Sequence, residues 1–555
     1  MHEGALALRP AGEGEGQKLR PVLGHLLLGL GGVAALLSSC ASSRAQAPAE
    51  RTEHRIGFRS SWELDPARTY RTQFDDGVTY GREKSPRPVL VNLWYPAASD
   101  GRRMNHTEYL AFEPSDPRLH ALAEKLLAHE LEVLSGEVLG RDPEPLDPAW
   151  RPAVLRALER TTPCIRDAEP AAGPFPLVLY HAGGGSSFED NALLCEELAA
   201  RGFVVLGGAF LDHQGESLNI DSANAGREFE FLLRLAADLP FVDLGRIAAV
   251  GHSAGAQGIL RYNARGGTAL DAIVALDTTQ DYRTLRDPRW PELVREVRDA
   301  SAHWRTPTLF VAGPDALFAL GDTLQGCERG YLTVPDLTHN DFISQGEQAA
   351  RARQDAAGSS STAGNAADVL SARGRELRRV VIEYLEWTLL GSMSARTELD
   401  RRCETILGAD VHLEWASAGS GAPEPGQGRP TPRTVLTALE RQGVEAAIAE
   451  ITRHEPPARV LLSEDLAFQL VYDLVDKGAV EAALLLSEFY GSQGVSVVPD
   501  TLASAEFFLQ IEHSPEYVAT CVRMLRLLGE GDSAVQAFLG RLPELWPWPE
   551  LPLPE

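Results

Sequence analysis

The chain has 555 residues, enough for two or three domains with real cores, and 44% of them are hydrophobic against 23% charged, so most of it should be globular rather than disordered. A formal net charge of -26 repels phosphate backbones and argues against a nucleic-acid partner; the same charge serves solubility. Six cysteines, none in a close metal-ligand spacing, exclude a disulfide scaffold and argue against a structural zinc site, while a Cys164–Cys195 pairing stays open for an exported protein.

Taken in chain order, the first feature is an export signal. Lys18 and Arg20 precede an apolar run from Val22 to Leu37, followed by small residues, which predicts a signal peptide over 1–39. The run is shorter than the ~20 apolar residues that a membrane span needs. Its end, Leu37-Ser38-Ser39-Cys40, resembles the bacterial lipoprotein box, which implies cleavage before Cys40 and acylation of its thiol. Residues 40–54 then read as a tether. Ala41 stands where an aspartate would resemble an inner-membrane retention signal, so the expectation is an outer-membrane lipoprotein held to the membrane by its acyl chains.

From 55 to 417, short apolar runs alternate with helical patterns, the signature of a mostly parallel sheet with helices on both faces. Strands are predicted at Leu90–Tyr95, Leu177–Tyr180, Phe203–Leu206, Ile247–Val250, Ala272–Leu276, Thr308–Val311 and Tyr331–Val334, and helices at Asn191–Arg201 and Gly226–Leu239. Residues 104–160 read as a helical insertion, and Gln354–Asn365, rich in Ala, Ser and Gly, as a flexible loop. Asp410 to Glu414 alternates like a short edge strand.

A stretch dense in Gly, Pro and Ser over 418–433 predicts a linker. Beyond it, 434–555 is helical throughout, with candidates Thr434–Thr452, Asp465–Lys477, Ala479–Tyr490, Leu502–Glu512, Pro515–Leu528 and Ser533–Leu542. Two glycine turns before small-residue helices resemble tetratricopeptide-type hairpins, which would imply a protein partner; a plain helical bundle fits equally. A linker of this composition predicts a tail that folds separately, so that truncation near Gly421 spares the chemistry upstream.

The chemistry centres on Gly251-His252-Ser253-Ala254-Gly255. An apolar strand runs into G-x-S-x-G and a helical pattern follows, the context of a nucleophile elbow whose glycines allow backbone to crowd a strained serine. A serine hydroxyl needs a base. Of fourteen histidines, only His303, His339 and His412 lie between Ser253 and the linker. His339, in the loop after the last parallel strand, is placed to reach back over the sheet edge. Two aspartates at strand ends, Asp277 and Asp315, could orient the imidazole, and their spacing does not choose between them. Backbone donors for an oxyanion hole are expected from Ala254, directly after the nucleophile, and from Gly183 in the loop His181-Ala182-Gly183-Gly184-Gly185. Such chemistry needs no cofactor and no metal.

These segments together resemble the platelet-activating factor acetylhydrolase group of α/β-hydrolases over roughly residues 55–390. The matching stretches are Val91-Asn92-Leu93-Trp94-Tyr95-Pro96, the His181–Gly185 loop, Leu211-Asp212-His213-Gln214-Gly215, the Ser253 elbow, Ala275-Leu276-Asp277 and Thr338-His339-Asn340-Asp341-Phe342. The resemblance implies an acyl-enzyme route on short-chain or lipid esters, with Asp277 as the acid. The chain departs from the family at Ala182, where the group has glycine, and at Ala254, which stands for a bulkier residue; both bear on acyl preference rather than on the reaction. A reading from a different class is a catalytically inactive hydrolase-fold lipoprotein that works through its C-terminal helices.

Overall fold

A computed structural model describes residues 53–555 except 71–84, 111–113, most of 121–157, 185–187, 209–223, 288, 336, 358–360, 406–410, 511–513, 550 and 555. The signal, Cys40 and the Leu211–Gly215 segment therefore lie outside the described residues. Among the described residues, one sheet of eleven strands organises the N-terminal part, in the order β11-β10-β9-β8-β7-β5-β6-β2-β1-β4-β3. Its parallel centre consists of β6 (Val204–Gly208), β5 (Phe175–His181), β7 (Val242–His252), β8 (Ala272–Leu276), β9 (Thr308–Ala312) and β10 (Arg329–Thr333).

The centres of these strands, such as Leu177–Tyr180, Ile247–Val250 and Ala272–Leu276, read as apolar runs because both faces are buried. Alternate residues supply two different cores. Val178, Tyr180, Ala248, Val250, Val274 and Val311 face one, and Leu177, Leu179, Ala249, Ile273, Ala275 and Phe310 face the other. The first core is closed by helices α1 (Ala192–Ala200) and α7 (Ser361–Leu390), through Leu198 and Leu385 among others. The second is closed by α2 (Asn224–Ala237), α3 (Ala254–Ala264) and α4 (Pro291–Ala300), through Leu232, Ile259 and Val297. A mostly parallel sheet with helices on both faces is thus the architecture of the sheet half, with a helical region at its C-terminal side.

Four strands extend the sheet beyond the parallel centre. β1 (Arg55–Tyr70) runs antiparallel to β2 (Ser85–Ala97), and β4 (Thr161–Arg166) and β3 (Arg103–Asn105) follow it. β1, β3 and β4 were not among the predicted strands: Arg55–Tyr70 mixes Arg, Ser, Glu and Asp among its apolar residues, which masks its alternation. At the other edge, β11 (His412–Ala416) is a short antiparallel edge strand on β10, as the alternation there predicts. The insertion begins with β3 and single 3-10 turns, and its interior lies mostly outside the described residues.

The expected flexible loop at 354–365 is not found. Helix α6 (Ser344–Ala357) runs through its first part and α7 starts at Ser361, so only 358–360 fall outside the described helices. Alanine is the best helix former, and that preference outweighs the loop-like composition. Cys164 and Cys195 are both buried and free, so the pairing left open by sequence is not made.

Helix α5 is the short turn Ala319–Asp322 and α8 spans Met393–Thr405. The C-terminal helices are α9 (Pro432–Gln442), α10 (Val444–Ile451), α11 (Glu464–Asp476), α12 (Val480–Ser492), α13 (Val498–Gln510), α14 (Pro515–Leu528) and α15 (Ser533–Leu545). The single helix expected over Thr434–Thr452 is broken into α9 and α10 at Gly443, whose φ of 96° no helix accommodates. Their core is a third cluster, and it includes Leu317 and Ala319 from the sheet half.

The segment between β11 and α9 is laid along the sheet half. Gln325 O accepts from the Gly419 amide at 2.7 Å, and the buried Arg329 donates to Ser420 O at 2.6 Å. Arg433 of α9 is buried, bonds Asp322 at 2.6 Å and Glu414, and lies 3.8 Å over the Tyr331 ring. Residues 51–555 form one compact unit. Residues 418–431 carry no strand or helix, and α9 begins at Pro432; hydrogen bonds hold the stretch against the sheet half.

Candidate active site

Ser253 follows the last residue of β7 and precedes α3. Its φ of 52° and ψ of -121° put a non-glycine residue in sparsely populated backbone space, the strain that a nucleophile elbow stores. The glycines around it are explained by distance. A Cβ on Gly251 would lie 2.6 Å from the Ala256 amide nitrogen, and one on Gly255 would lie 2.3 Å from His181 O and 2.4 Å from Ala182 O. The turn closes only because both positions lack side chains. The Ser253 amide donates to Leu276 O at 2.9 Å, tying the elbow to the end of β8.

Asp277 is the next residue, also at positive φ, 46°. Its carboxylate is buried, and Oδ2 lies 2.6 Å from His339 Nδ1. Oδ1 accepts from the Tyr282 hydroxyl and, at 3.3 Å, from the Gly313 amide. His339 opens a 3-10 turn, His339–Phe342, after β10. That turn is fixed by a capping box: Asp341 Oδ2 accepts from the Thr338 amide at 2.7 Å. About half of the imidazole is exposed, 46% by side-chain area.

His252 links the elbow to this pair. Its ring sits 4.5 Å from that of His339, and its Nε2–H donates to His339 O at 3.0 Å. Burial, and secondarily the neighbouring imidazole, lowers its pKa to about 3, so His252 stays neutral and serves as a fixed donor. Sequence reasoning passed over His252, although it stands directly before the nucleophile. It also passed over Tyr282, for which no local pattern speaks.

The other predicted residues fall as follows. Gly183 abuts the elbow: a Cβ there would come within 3.3 Å of Ser253 Cβ, and one on Gly184 would be 3.6 Å from Ala254 Cβ. The Gly183 amide makes a long contact, 3.5 Å, with Asp190 Oδ2. Burial pushes the Asp190 carboxyl up to about 8, so at neutral pH it is a protonated acid and a weak acceptor for that amide. Asp315 is not brought to His339. It faces the C-terminal helices across a groove of about 810 Å³ lined also by Pro314, Leu337, Arg459 and Ser463. Burial raises its carboxyl to about 6, with Asp465 adding to the effect and a hydrogen bond from Ser463 opposing it. His303 ends a short 3-10 turn and His412 pairs with Glu414 at 3.0 Å on β11; neither joins the cluster.

The arrangement can therefore present a strained serine, a half-exposed imidazole backed by a buried carboxylate, and a glycine loop at one strand-end cluster. Among the described residues there is no group of acidic, histidine or cysteine side chains suited to hold a metal ion.

No protein-family model matches the chain, and no curated protein matches it. Among solved structures, a ferulic acid esterase from Streptomyces cinnamoneus is similar, at 19% identity and a TM-score of 0.38, over 62% of this chain and 93% of its own. A likeness of that size does not decide an activity; the fold is stated from the strand order and the elbow.

Proposed function

We propose that the chain is a serine carboxylic-ester hydrolase. The observation that carries the reading is the Asp277–His339 pair at 2.6 Å, set beside the strained Ser253 through the His252 bridge. In this reading Ser253 Oγ adds to the ester carbonyl while His339 Nε2 takes its proton. The amides of Ala254 and Gly183 receive the oxyanion. Collapse of the adduct breaks the ester C–O bond, the alcohol leaves with the proton from His339, and an acyl-enzyme remains. Water, deprotonated by the same imidazole, then releases the acid and regenerates Ser253. Asp277 holds the imidazole and stabilises it when charged.

The substrate class comes from the resemblance to the platelet-activating factor acetylhydrolase group: short-chain or lipid esters, with Ala182 and Ala254 shaping acyl preference. A fluorophosphonate probe tests the reading. Labelling of the folded chain that disappears in Ser253→Ala is expected; labelling that survives Ser253→Ala, or none in the unaltered chain, removes it.

The cellular setting is proposed from the N-terminal residues: export, acylation of Cys40 and retention at the outer membrane. Partition into membranes that is lost in Cys40→Ser is the expected result, and unchanged partition in that variant would count against the anchor.

A further inference from the structure

Asp277 needs one oxygen turned to His339, and the structure closes off the other. Tyr282, five residues on, ends the 3-10 turn Thr279–Tyr282. Its hydroxyl donates to Asp277 Oδ1 and accepts the Gly313 amide at 2.6 Å. Burial and the adjacent Asp277 raise the phenol well above its ordinary pKa, so it remains a donor. The fit is tight on the far side as well, since a Cβ on Gly313 would lie 2.8 Å from the Tyr282 oxygen. Burial foremost, and the neighbouring Asp277 charge, push the Asp281 carboxyl well above the ordinary aspartate range. The Asp281 backbone oxygen accepts from the amides of Leu317 and Phe318 at 2.6 and 2.7 Å, which binds the Tyr282 turn to the loop that begins at Gly313.

Both of these loops are gripped from outside by the C-terminal helices. Beyond Tyr282, Leu285 packs against the second sheet core and the helical core alike. Arg286 lies 3.6 Å from Asp473 of α11. Arg289, tied to Asp287, covers the Tyr517 ring of α14 at 4.4 Å and the Phe508 ring of α13 at 5.4 Å. On the other loop, Leu317 and Ala319 belong to the helical core itself.

We infer that Tyr282 is a positioning residue for Asp277, and that the C-terminal helices act as its clamp by fixing the two loops that meet at its hydroxyl. The inference takes its site from the ester-hydrolase reading and gives the helices a part in it. A hydrogen bond to a charged group contributes enough that Tyr282→Phe should lower kcat between about ten- and hundredfold, with KM unchanged. In the full chain, Arg289→Ala should slow fluorophosphonate labelling in the same direction. The double variant should lose less than the product of the two, because both act on one carboxylate. Should Arg289→Ala fail to fold, Arg286→Ala, whose arginine is half exposed, replaces it in the same cycle.

A second readout does not depend on turnover. The downfield imidazole N–H proton signal of the Asp277–His339 bond should shift or broaden in Tyr282→Phe. Failure of the unaltered chain to label removes the hydrolase reading, and the N–H signal still decides the positioning. Wild-type kcat and an unchanged N–H signal in Tyr282→Phe overturn the positioning role. Strictly multiplicative losses in the double variant overturn the clamp.

Discussion

One aspartate directly follows β8 and another lies three residues past β9, and the two have opposite surroundings. Asp277 is buried, and every contact of its carboxylate is a donor: His339, Tyr282 and the Gly313 amide. Asp315 has one carboxylate oxygen buried without a hydrogen-bond partner, and its neighbours are a serine and another acid on the C-terminal helices. The first environment holds the side chain against an imidazole with donors on every side; the second, by burial beside another acid, pushes the Asp315 carboxyl up to about 6. Position at a strand end nominates a residue for a site, and the direction of the surrounding donors decides what it can do there.

Exchange of the two carboxylates for amides breaks or sharpens this contrast most strongly. Asp277→Asn should lower kcat by about 10⁴, the loss known for the serine-protease arrangement, with little change in KM. Asp315→Asn should turn over within about twofold of the unaltered chain, since nothing it touches is in the site. Steady-state kinetics on a soluble ester measures both. Collapse in Asp315→Asn with normal turnover in Asp277→Asn would reverse the contrast.

Removal of the helices at Gly421 comes next in size. Composition alone predicts a truncated chain that works. The shared core predicts otherwise: Leu317 and Ala319 would lose the helices that bury them, at a cost of about 2 kcal/mol for the leucine alone. Hydrolysis by a truncated chain that still folds should drop about tenfold or more, because the loop after β9 carries the Gly313 amide that meets Tyr282. Turnover equal to that of the full chain would show that the tail is a passenger to the chemistry.

How far the sequence reaches is set by how local each feature is. The strand-turn-helix at Ser253 is readable because its signals, an apolar run and two glycines, lie within eleven residues of one another. The centres of the parallel strands are readable because burial on both faces leaves runs such as Ile247–Val250 and Ala272–Leu276 without a polar interruption. Asp277 could not be separated from Asp315 by spacing, and only the family resemblance favoured it; the distinguishing contacts come from Tyr282 and Gly313, which lie on different loops. His252 and Tyr282 carry no periodic signal, since their roles arise where strand ends meet. The packing of the linker is unreadable for a related reason: Gly419 and Ser420 are bonded to Gln325 and Arg329, more than ninety positions earlier, and composition does not record such partners.

A smaller effect tests the local reading of the elbow. Gly255→Ala puts a methyl group 2.3 Å from His181 O, and the crowding can be relieved only by moving the glycine loop that faces Ser253. A cost of about 1–3 kcal/mol is expected in urea unfolding, with turnover reduced because that loop holds Gly183. A variant as stable and as active as the unaltered chain would mean that the loop does not press on the elbow.

The smallest expected effect returns to Asp315 and depends on pH. Its folded carboxyl titrates near 6, above the ordinary range for aspartate, so folding favours the protonated form. Below about pH 4 both folded and unfolded chains are protonated there and the group adds no penalty. As pH rises toward 6 the unfolded chain releases its proton while the folded chain resists, and stability falls; above 6 the full penalty is present. Asparagine cannot ionise and escapes it. The difference in Tm between Asp315→Asn and the unaltered chain should therefore grow from pH 4.5 to pH 8, reaching roughly 2 °C in favour of the variant. A difference that stays flat or shrinks with pH would mean that Asp315 is ionised and satisfied in the fold. It would then resemble Asp277 after all, and the contrast between the two strand ends would have to rest on kinetics alone.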